Sequence, residues 1–352
     1  MFNFFKSRSY LGIDIGTTSI KAVEIKKTPD GLELTNYGIL ESYGHLKRLN
    51  DSIQTSSLKI SVQETALMVR NLVEKSGFKT KEVIASIPAF SAFTTFLELP
   101  DMPPAETQSA IKFQIPRYIP LAPEEMSIDW SKVDERVDEK GIKKQQILII
   151  AVPNEKILKY QEIFKSAGLK LKFLEVESLS LIRGLTGNDE ETTMILDIGS
   201  RSTNIVITVK GLLRYSIQTD YAGFSLTQAI ANGLSIDTRR AEELKRSFGI
   251  GEAEKNVIQQ AMSSLIDMMA FEAKKTIHNY EDLKKTKITR VVLVGGLANM
   301  PNFANYFGEK LGTSVTLGNP VGRVILPKEL LGLQTELNST FAISLGLGMR
   351  EI

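Results

Sequence analysis

The sequence predicts an α/β protein built from two similar halves that face a common cleft. Residues 14–19 (DIGTTS) follow an apolar run and precede an alternating one, a pattern typical of strand, tight turn and strand. A second copy, residues 197–202 (DIGSRS), stands between two further strand-like runs about one domain length downstream. Related units at this separation indicate two related halves, each presenting a hairpin to the cleft between them.

Each hairpin turn has the composition of an anion site. Gly16 permits close approach of another molecule and positive φ, and Thr17, Thr18 and Ser19 add hydroxyl donors beside outward-pointing N–H groups. A carboxylate beside such a turn repels an anion unless a cation lies between them, so Asp14 is a candidate holder of Mg²⁺ on a phosphate. The second copy supplies the equivalent residues Asp197, Gly199, Ser200 and Ser202.

Two further segments complete a candidate nucleotide site. Residues 291–301 read as a buried strand that ends in Gly295 and Gly296, where a flat ring can approach the backbone. Glu242 and Lys245 stand three residues apart on a predicted helix with Asp237 as its N-cap, so they share one face and could bind ribose hydroxyls.

In this order the segments resemble the first phosphate, second phosphate, ribose and adenosine segments of the actin, sugar-kinase and heat-shock-chaperone ATPase superfamily. The resemblance implies an actin-like (ribonuclease H-like) two-domain fold with a nucleotide cleft, and ATP with Mg²⁺ as cofactors. It places Lys21, Gly223 and Asn299 among the nucleotide-binding residues. Glu177 matches the polar residue that orients the attacking water in the superfamily, so it is the candidate catalytic residue.

Within that superfamily the chain resembles the PilM family of type IV pilus assembly and the related FtsA family. The similar patterns are residues 10–21 (YLGIDIGTTSIK) and residues 174–181 (LEVESLSL). The resemblance implies a cytoplasmic ATP-binding scaffold of the type IV pilus, or of a related type II secretion platform. Its expected partner is the cytoplasmic N-terminal tail of PilN, with other platform proteins or a second copy as further partners.

The resemblance also divides the chain. Residues 1–89 form the front part of the first half, 90–176 a small inserted α+β subdomain as in FtsA, and 177–191 a connector that closes the first half. Residues 192–339 form the second half and 340–352 a second interdomain connector helix. The partner groove is expected between the first half and the inserted subdomain, near the front of the latter, around the strand 93–99 and the helix 104–118.

Composition excludes several classes of function. With 43 basic and 41 acidic residues, the net charge of +2 gives no field that favours nucleic acid. The absence of Cys and the presence of two His exclude disulfides, thiol catalysis and zinc clusters. A P-loop is absent, and the dinucleotide-binding pattern is incomplete because Gly12 and Gly16 are its only glycines.

The sequence also gives expectations for the cellular location of the protein and for its ATPase activity. The N-terminal residues 1–9 are too short and broken for a signal peptide, and the longest apolar run, 147–152, is too short to span a bilayer. We therefore expect a cytoplasmic protein that lies at the inner face of the membrane through its partners. Any ATPase activity is expected to be slow, and hydrolysis itself stays open.

Two alternatives remain. One is an FtsA-type, filament-forming ATPase of cell division, which normally ends in a membrane-targeting helix; none is expected here because residues 348–352 follow the connector directly. The other is a small-molecule kinase of the same fold, which needs a general base for a substrate hydroxyl. No polar cluster in the sequence is reserved for that task.

Overall fold

The structure of the chain is a computed structural model that describes residues 9–41, 61–251 and 257–350. The N-terminal segment 1–8 lies outside the described residues, and so do residues 252–256, at the start of a helix that the sequence predicts over 252–280. Among the described residues, no helix combines the length and the apolar character needed to cross a bilayer.

The first half and the insertion alternate strands and helices. In chain order they are β1 (Ser9–Ile15), β2 (Ser19–Thr28), β3 (Gly31–Glu41), α1 (Val62–Ser76), β4 (Glu82–Ile87), β5 (Phe93–Pro100), α2 (Pro104–Gln114), β6 (Met126–Val137), β7 (Lys143–Pro153), α3 (Asn154–Ser166) and β8 (Lys170–Val176).

The connector and the second half also contain both strands and helices. In chain order they are α4 (Glu177–Leu185), β9 (Thr192–Ile198), β10 (Thr203–Val209), β11 (Leu212–Thr219), α5 (Gly223–Leu234), α6 (Thr238–Phe248), α7 (Val257–Lys284), β12 (Arg290–Val294), α8 (Phe303–Leu311), β13 (Val315–Leu317), α9 (Gln334–Thr340) and α10 (Ala342–Gly348).

Both halves contain a five-stranded sheet with the same topology. The order is β3-β2-β1-β4-β8 in the first and β11-β10-β9-β12-β13 in the second. In each, three antiparallel strands form a meander, and the fourth and fifth strands run parallel to the first. The two related halves predicted from the repeated hairpin are therefore confirmed.

The inserted subdomain is smaller than predicted. Its three-stranded sheet has the order β5-β7-β6, and Ile111 and Ile115 pack with Leu97 and Leu99 in its own core. The sequence analysis extended the insertion to residue 176. In the structure, however, β8 pairs with β4, and Ile163 and Phe164 of α3 pack in the core of the first half. The insertion thus ends near Pro153, because α3 and β8 bury their apolar faces in the first half.

Two predicted helices are also broken. The helix expected over 104–118 ends at Gln114 and continues as a 3₁₀ turn at Ile115–Arg117, since Pro116 lacks the N–H group that an α-helix needs. The second connector helix, expected over 340–352, begins at Ala342 and ends at Gly348, and Phe341, with ψ of 15°, separates it from α9. The short elements α9 and β13 have too weak a sequence pattern to be predicted.

The connector helices α4 and α10 join the halves. They cross in close contact: a Cβ atom on Gly346 would lie 1.9 Å from the carbonyl oxygen of Ser180. A mixed core surrounds the crossing, in which Leu181 of α4 and Leu347 of α10 pack with Ile84 of the first sheet and Ile195 of the second. Relative motion of the halves therefore has to occur around this crossing.

We predict that Gly346→Ala destabilises the protein because its methyl group overlaps Ser180. Overpacking of this kind typically lowers the free energy of unfolding by about 1–3 kcal/mol. Urea unfolding measures the change. Gly233→Ala, in α5, is the matched control, since its Cβ would meet Ala261 at an ordinary 3.5 Å. Equal midpoints for the two variants would contradict close packing at the crossing.

Candidate nucleotide site

The two hairpin turns have the same geometry. The N–H group of Gly16 donates to the carbonyl oxygen of Ser19 at 3.0 Å, and that of Gly199 donates to Ser202 at 3.0 Å. Neither Gly16 nor Gly199 has positive φ, contrary to one reason given for these glycines. They are needed instead because a Cβ on either would lie 3.0 Å from the acceptor oxygen of its own turn.

Cross-strand pairing places the two aspartates at equivalent positions. Asp14 pairs with Lys21 across β1 and β2, and Asp197 pairs with Asn204 across β9 and β10. Both carboxylates are buried, with 3% and 8% of their residue surface exposed. The hydroxyls of the turns, at Thr17, Thr18, Ser200 and Ser202, are in contrast partly exposed, which leaves them accessible to a ligand.

Asp14 is held by two contacts. Ser86, at the end of β4, donates its hydroxyl to Oδ1 at 2.8 Å, and Nζ of Lys21 lies 3.5 Å from Oδ2. The positive charge of Lys21 also acts on Asp197 and Glu177, whose pKa values it lowers in part. Lys21 therefore lies within electrostatic reach of all three carboxylates.

Glu177 is the first residue of α4 and shares a buried amide donor with Asp197. The Nδ2 group of Asn204 lies 2.9 Å from Oε2 of Glu177 and 3.4 Å from Oδ2 of Asp197. Burial, followed by the charges of Asp14 and Asp197, raises the pKa of Glu177 to about 8. Burial also raises the pKa of Asp197 to about 6. The predicted catalytic and metal-holding side chains therefore lie together.

Asn204 was missed by sequence reasoning. It is 4% exposed, and its Oδ1 atom is buried without a hydrogen-bond partner among the described residues. The signal was present in the repeat, because Asn204 follows Asp197 by the same seven positions that separate Lys21 from Asp14. The repeat thus substitutes a neutral amide for the lysine of the first hairpin.

The predicted ribose pair lies beside the second hairpin. Gly223 and Phe224 donate their N–H groups to the carbonyl oxygens of Gly199 and Ser200, at 3.0 and 2.7 Å. Lys245, 6% exposed, donates to the carbonyl oxygen of Gly223 at 3.0 Å and contacts Glu242 at 2.7 Å. The two side chains predicted to bind ribose therefore contact each other, and Lys245 also contacts the start of α5.

The predicted adenosine segment is also next to the second hairpin. Gly295 has φ of 90°, and a Cβ there would lie 2.3 Å from the carbonyl oxygen of Ile198. Its glycine is thus required for packing on the strand that carries Asp197. Gly296, in contrast, has open space around it, and Asn299 accepts a hydrogen bond from Ser339 at 2.7 Å. Only Gly296 offers the free backbone that the sequence analysis expected of both glycines.

Comparison with known proteins identifies the family. The sequence model described as "Type IV pilus assembly protein PilM" matches residues 12–352. The chain belongs to the PilM family. In the solved PilM-PilN type IV pilus biogenesis complex, a chain 20% identical aligns with a TM-score of 0.82 and covers 97% of this chain and 99% of its own.

Two further relatives support the actin-like fold of this PilM-family chain. Cell division protein FtsA of Enterococcus hirae is 22% identical over 356 residues, which cover 90% of this chain and 79% of FtsA. MreB5 of Spiroplasma citri, solved bound to AMPPNP, is 13% identical with a TM-score of 0.50 and covers 90% of this chain and 94% of its own. Both match nearly the whole chain, so the two halves belong to one actin-like unit.

The donor set of this PilM-family site fits a metal held through phosphate and water. Asp14, Asp197 and Glu177 are acceptors in one buried region, and a cation would relieve their mutual repulsion. Among the described residues, however, no group of three or more His, Cys, Asp or Glu side chains is arranged to hold a metal ion directly. Ligands supplied by a bound phosphate and by water would complete such a site.

We predict that the nucleotide-free protein loses stability as pH rises. Glu177 and Asp197 have raised pKa values in the folded state, so between about pH 4 and pH 8 the folded protein binds more protons than the unfolded chain. Its free energy of unfolding should therefore fall over that range, by an amount on the order of a few kcal/mol. Urea unfolding at several pH values, without nucleotide or Mg²⁺, measures this slope.

Glu177→Gln should flatten the slope between pH 6 and pH 8, where the folded state still holds a proton on Glu177 that the unfolded chain has lost. The amide keeps an oxygen acceptor for Asn204. Glu309→Gln, at an exposed position of α8, is the control and should retain the parent slope. An unchanged slope in Glu177→Gln would show that Glu177 is ionised throughout this range.

Proposed function

We propose that this PilM-family chain is an ATP-binding scaffold of type IV pilus assembly, which holds Mg-ATP between its halves and captures the cytoplasmic tail of PilN. One observation carries the nucleotide part: two equivalent turns place Asp14 and Asp197 in a common buried region with Lys21 and Glu177. Carboxylates in this arrangement require a cation, and a metal–phosphate group supplies it.

Each part of the nucleotide has residues to hold it. The turns at Gly16 and Gly199 would bind phosphate oxygens through N–H and hydroxyl groups, and Lys21 would add a positive charge. Asp14 and Asp197 would hold Mg²⁺ through water. Mg-ATP would link the halves, because residues of both turns would hold its phosphates. Glu177 would accept a hydrogen bond from the water nearest the terminal phosphate.

Ribose and adenine would lie beside the second hairpin. Both oxygens of Glu242 already accept hydrogen bonds, Oε2 from Lys245 and Thr227 and Oε1 from Arg246. A ribose hydroxyl would most easily replace Arg246, whose side chain is 57% exposed. The open backbone at Gly296, next to Gly295 and Asn299, would face the adenine.

We predict that Asp14→Asn and Asp197→Asn each weaken Mg-ATP binding. Loss of a charge-assisted contact to metal-bound water lowers affinity by on the order of 1.5–3 kcal/mol, or about one to two decades in Kd. Isothermal titration calorimetry with a non-hydrolysable analogue measures the affinity. Asp267→Asn, an exposed partner of Lys310, is the matched control. Parent affinity in both cleft variants would refute the assignment of the site.

The partner part of the proposal rests on the family and on the inserted subdomain. The related chain was solved as a PilM-PilN complex. In this chain, β5 lies at one edge of the three-stranded sheet, and its outer edge pairs with no strand among the described residues. An extended peptide can add to such an edge. Phe113 and Tyr118, 76% and 52% exposed on the same subdomain, supply apolar surface for its side chains.

We predict that a labelled synthetic PilN tail binds the intact chain and that Phe113→Ser weakens binding. Loss of one to two kcal/mol of apolar burial corresponds to an increase in Kd of about 5–30-fold. Fluorescence anisotropy measures Kd. Phe271→Ser on α7, which removes an equally large aromatic ring that is 57% exposed, is the control.

This test uses point substitutions and not a deletion of residues 90–176, because that range includes α3 and β8 of the first half. Absence of binding to the parent would refute the partner. Equal binding by parent and Phe113→Ser would move the groove away from this surface.

The match to FtsA favours a second candidate function, that of a filament-forming ATPase. Sedimentation with and without Mg-ATP separates the two. ATP-dependent polymers together with no binding of the PilN tail would favour the FtsA-type function.

A further inference from the structure

The inserted subdomain also touches the second half of the molecule, on the side of strand β11. A polar cavity of about 280 Å³ lies between them. Glu98, Asp134 and Gln146 line it from the insertion, and Arg214, Tyr280 and Lys284 line it from the second half. Cavities lined by polar groups hold water, so this part of the interface is not tightly packed.

Arg214 of β11 makes the polar contact across this interface. Its NH1 atom donates to Oε1 of Gln146 at 3.2 Å and lies 3.4 Å from Oδ2 of Asp134. The Arg214 side chain is 9% exposed, whereas that of Asp134 is 55% exposed. A buried guanidinium needs its partners, and both of these belong to the insertion.

The rest of the contact is small and apolar. Val133 and Leu148 of the insertion pack with Leu213, the neighbour of Arg214, in the core between the halves. Strand β11 also packs against the turn Ala89–Ser91, which leads directly into β5. Strand β11 of the second half therefore contacts both the sheet of the insertion and the turn that leads into β5, the edge strand of that sheet.

This arrangement gives the insertion two attachments. The chain joins it to the first half through β4 and α3, while Arg214 holds it to the second half. A change in the angle between the halves, which turn around the crossing of α4 and α10, must then either move the insertion or break the contact at Arg214.

On the basis of the proposed function, we propose that the contact of Arg214 with Asp134 and Gln146 transmits nucleotide occupancy to the peptide groove of the insertion. Mg-ATP sets the angle between the halves, and the contact passes that angle to β5. The affinity of the peptide then depends on the nucleotide, and by thermodynamic reciprocity the affinity of the nucleotide depends equally on the peptide.

The test measures the Kd of the labelled PilN tail with and without a saturating non-hydrolysable Mg-ATP analogue. In the parent we expect the two Kd values to differ by about 5-fold or more, the lower end of typical coupling. Arg214→Gln should bring the ratio close to 1 and leave the Kd of each ligand alone within about 3-fold. Arg290→Gln, which removes a partly buried arginine paired with Asp189 and Glu191 in the segment just before β9, should keep the parent ratio.

A second readout does not depend on the peptide. Because the chain contains no cysteine, Lys140→Cys on the turn of the insertion and Glu74→Cys on α1 of the first half provide the two label sites for a distance measurement by electron spin resonance. The distance should change with the analogue in the parent. It should lose that response in Arg214→Gln.

Several outcomes would overturn the inference. They are independent binding of the two ligands in the parent, a parent ratio retained in Arg214→Gln, or a label distance that responds equally in both. Failure of the parent to bind the tail would refute the proposed partner, and the label distance would then decide the inference. If Arg214→Gln does not fold, Asp134→Asn, at a half-exposed position, takes its place in both measurements.

Discussion

Three carboxylates buried in one region repel each other, and this repulsion is the constraint on which the rest of the site depends. Asp14, Asp197 and Glu177 come from two sheets and a connector helix, so no local segment could satisfy them together. Lys21 and the amide of Asn204 offset part of the repulsion. Burial, together with the repulsion that remains, raises the pKa of Glu177 to about 8. A ligand that brings positive charge is thereby favoured over any neutral one.

The fold brings these groups together by duplication. Two sheets of the same topology present the same turn at the end of their central strands, and α4 and α10 hold the sheets face to face. The close approach at Gly346 fixes where the helices cross. The difference between the copies also matters, since the aspartate of the first hairpin pairs with Lys21 and that of the second pairs with the neutral Asn204. A phosphate between the turns would therefore be bound asymmetrically.

The repeated pattern in the sequence was sufficient to predict the two halves and both hairpins, because strand alternation and turn residues are local signals. The end of the insertion could not be predicted in this way. Helix α3 and strand β8 have ordinary local patterns, and only their packing partners, such as Val69 and β4, assign them to the first half. Likewise, the contact between Glu242 and Lys245 could be predicted from their spacing. The hydrogen bond from Lys245 to the carbonyl oxygen of Gly223 could not, because it depends on tertiary packing.

A scaffold and an enzyme make different demands on such a cleft. An enzyme gains from closing and reopening in every cycle, whereas a scaffold gains from a closed state that lasts and is sensed elsewhere in the molecule. Here the cleft is linked to the insertion twice, through the first half and through the buried side chain of Arg214. A second attachment adds nothing to the position of Glu177, which lies on the connector. It does connect the geometry of the cleft to a free sheet edge, and this is the property that a nucleotide-dependent scaffold requires.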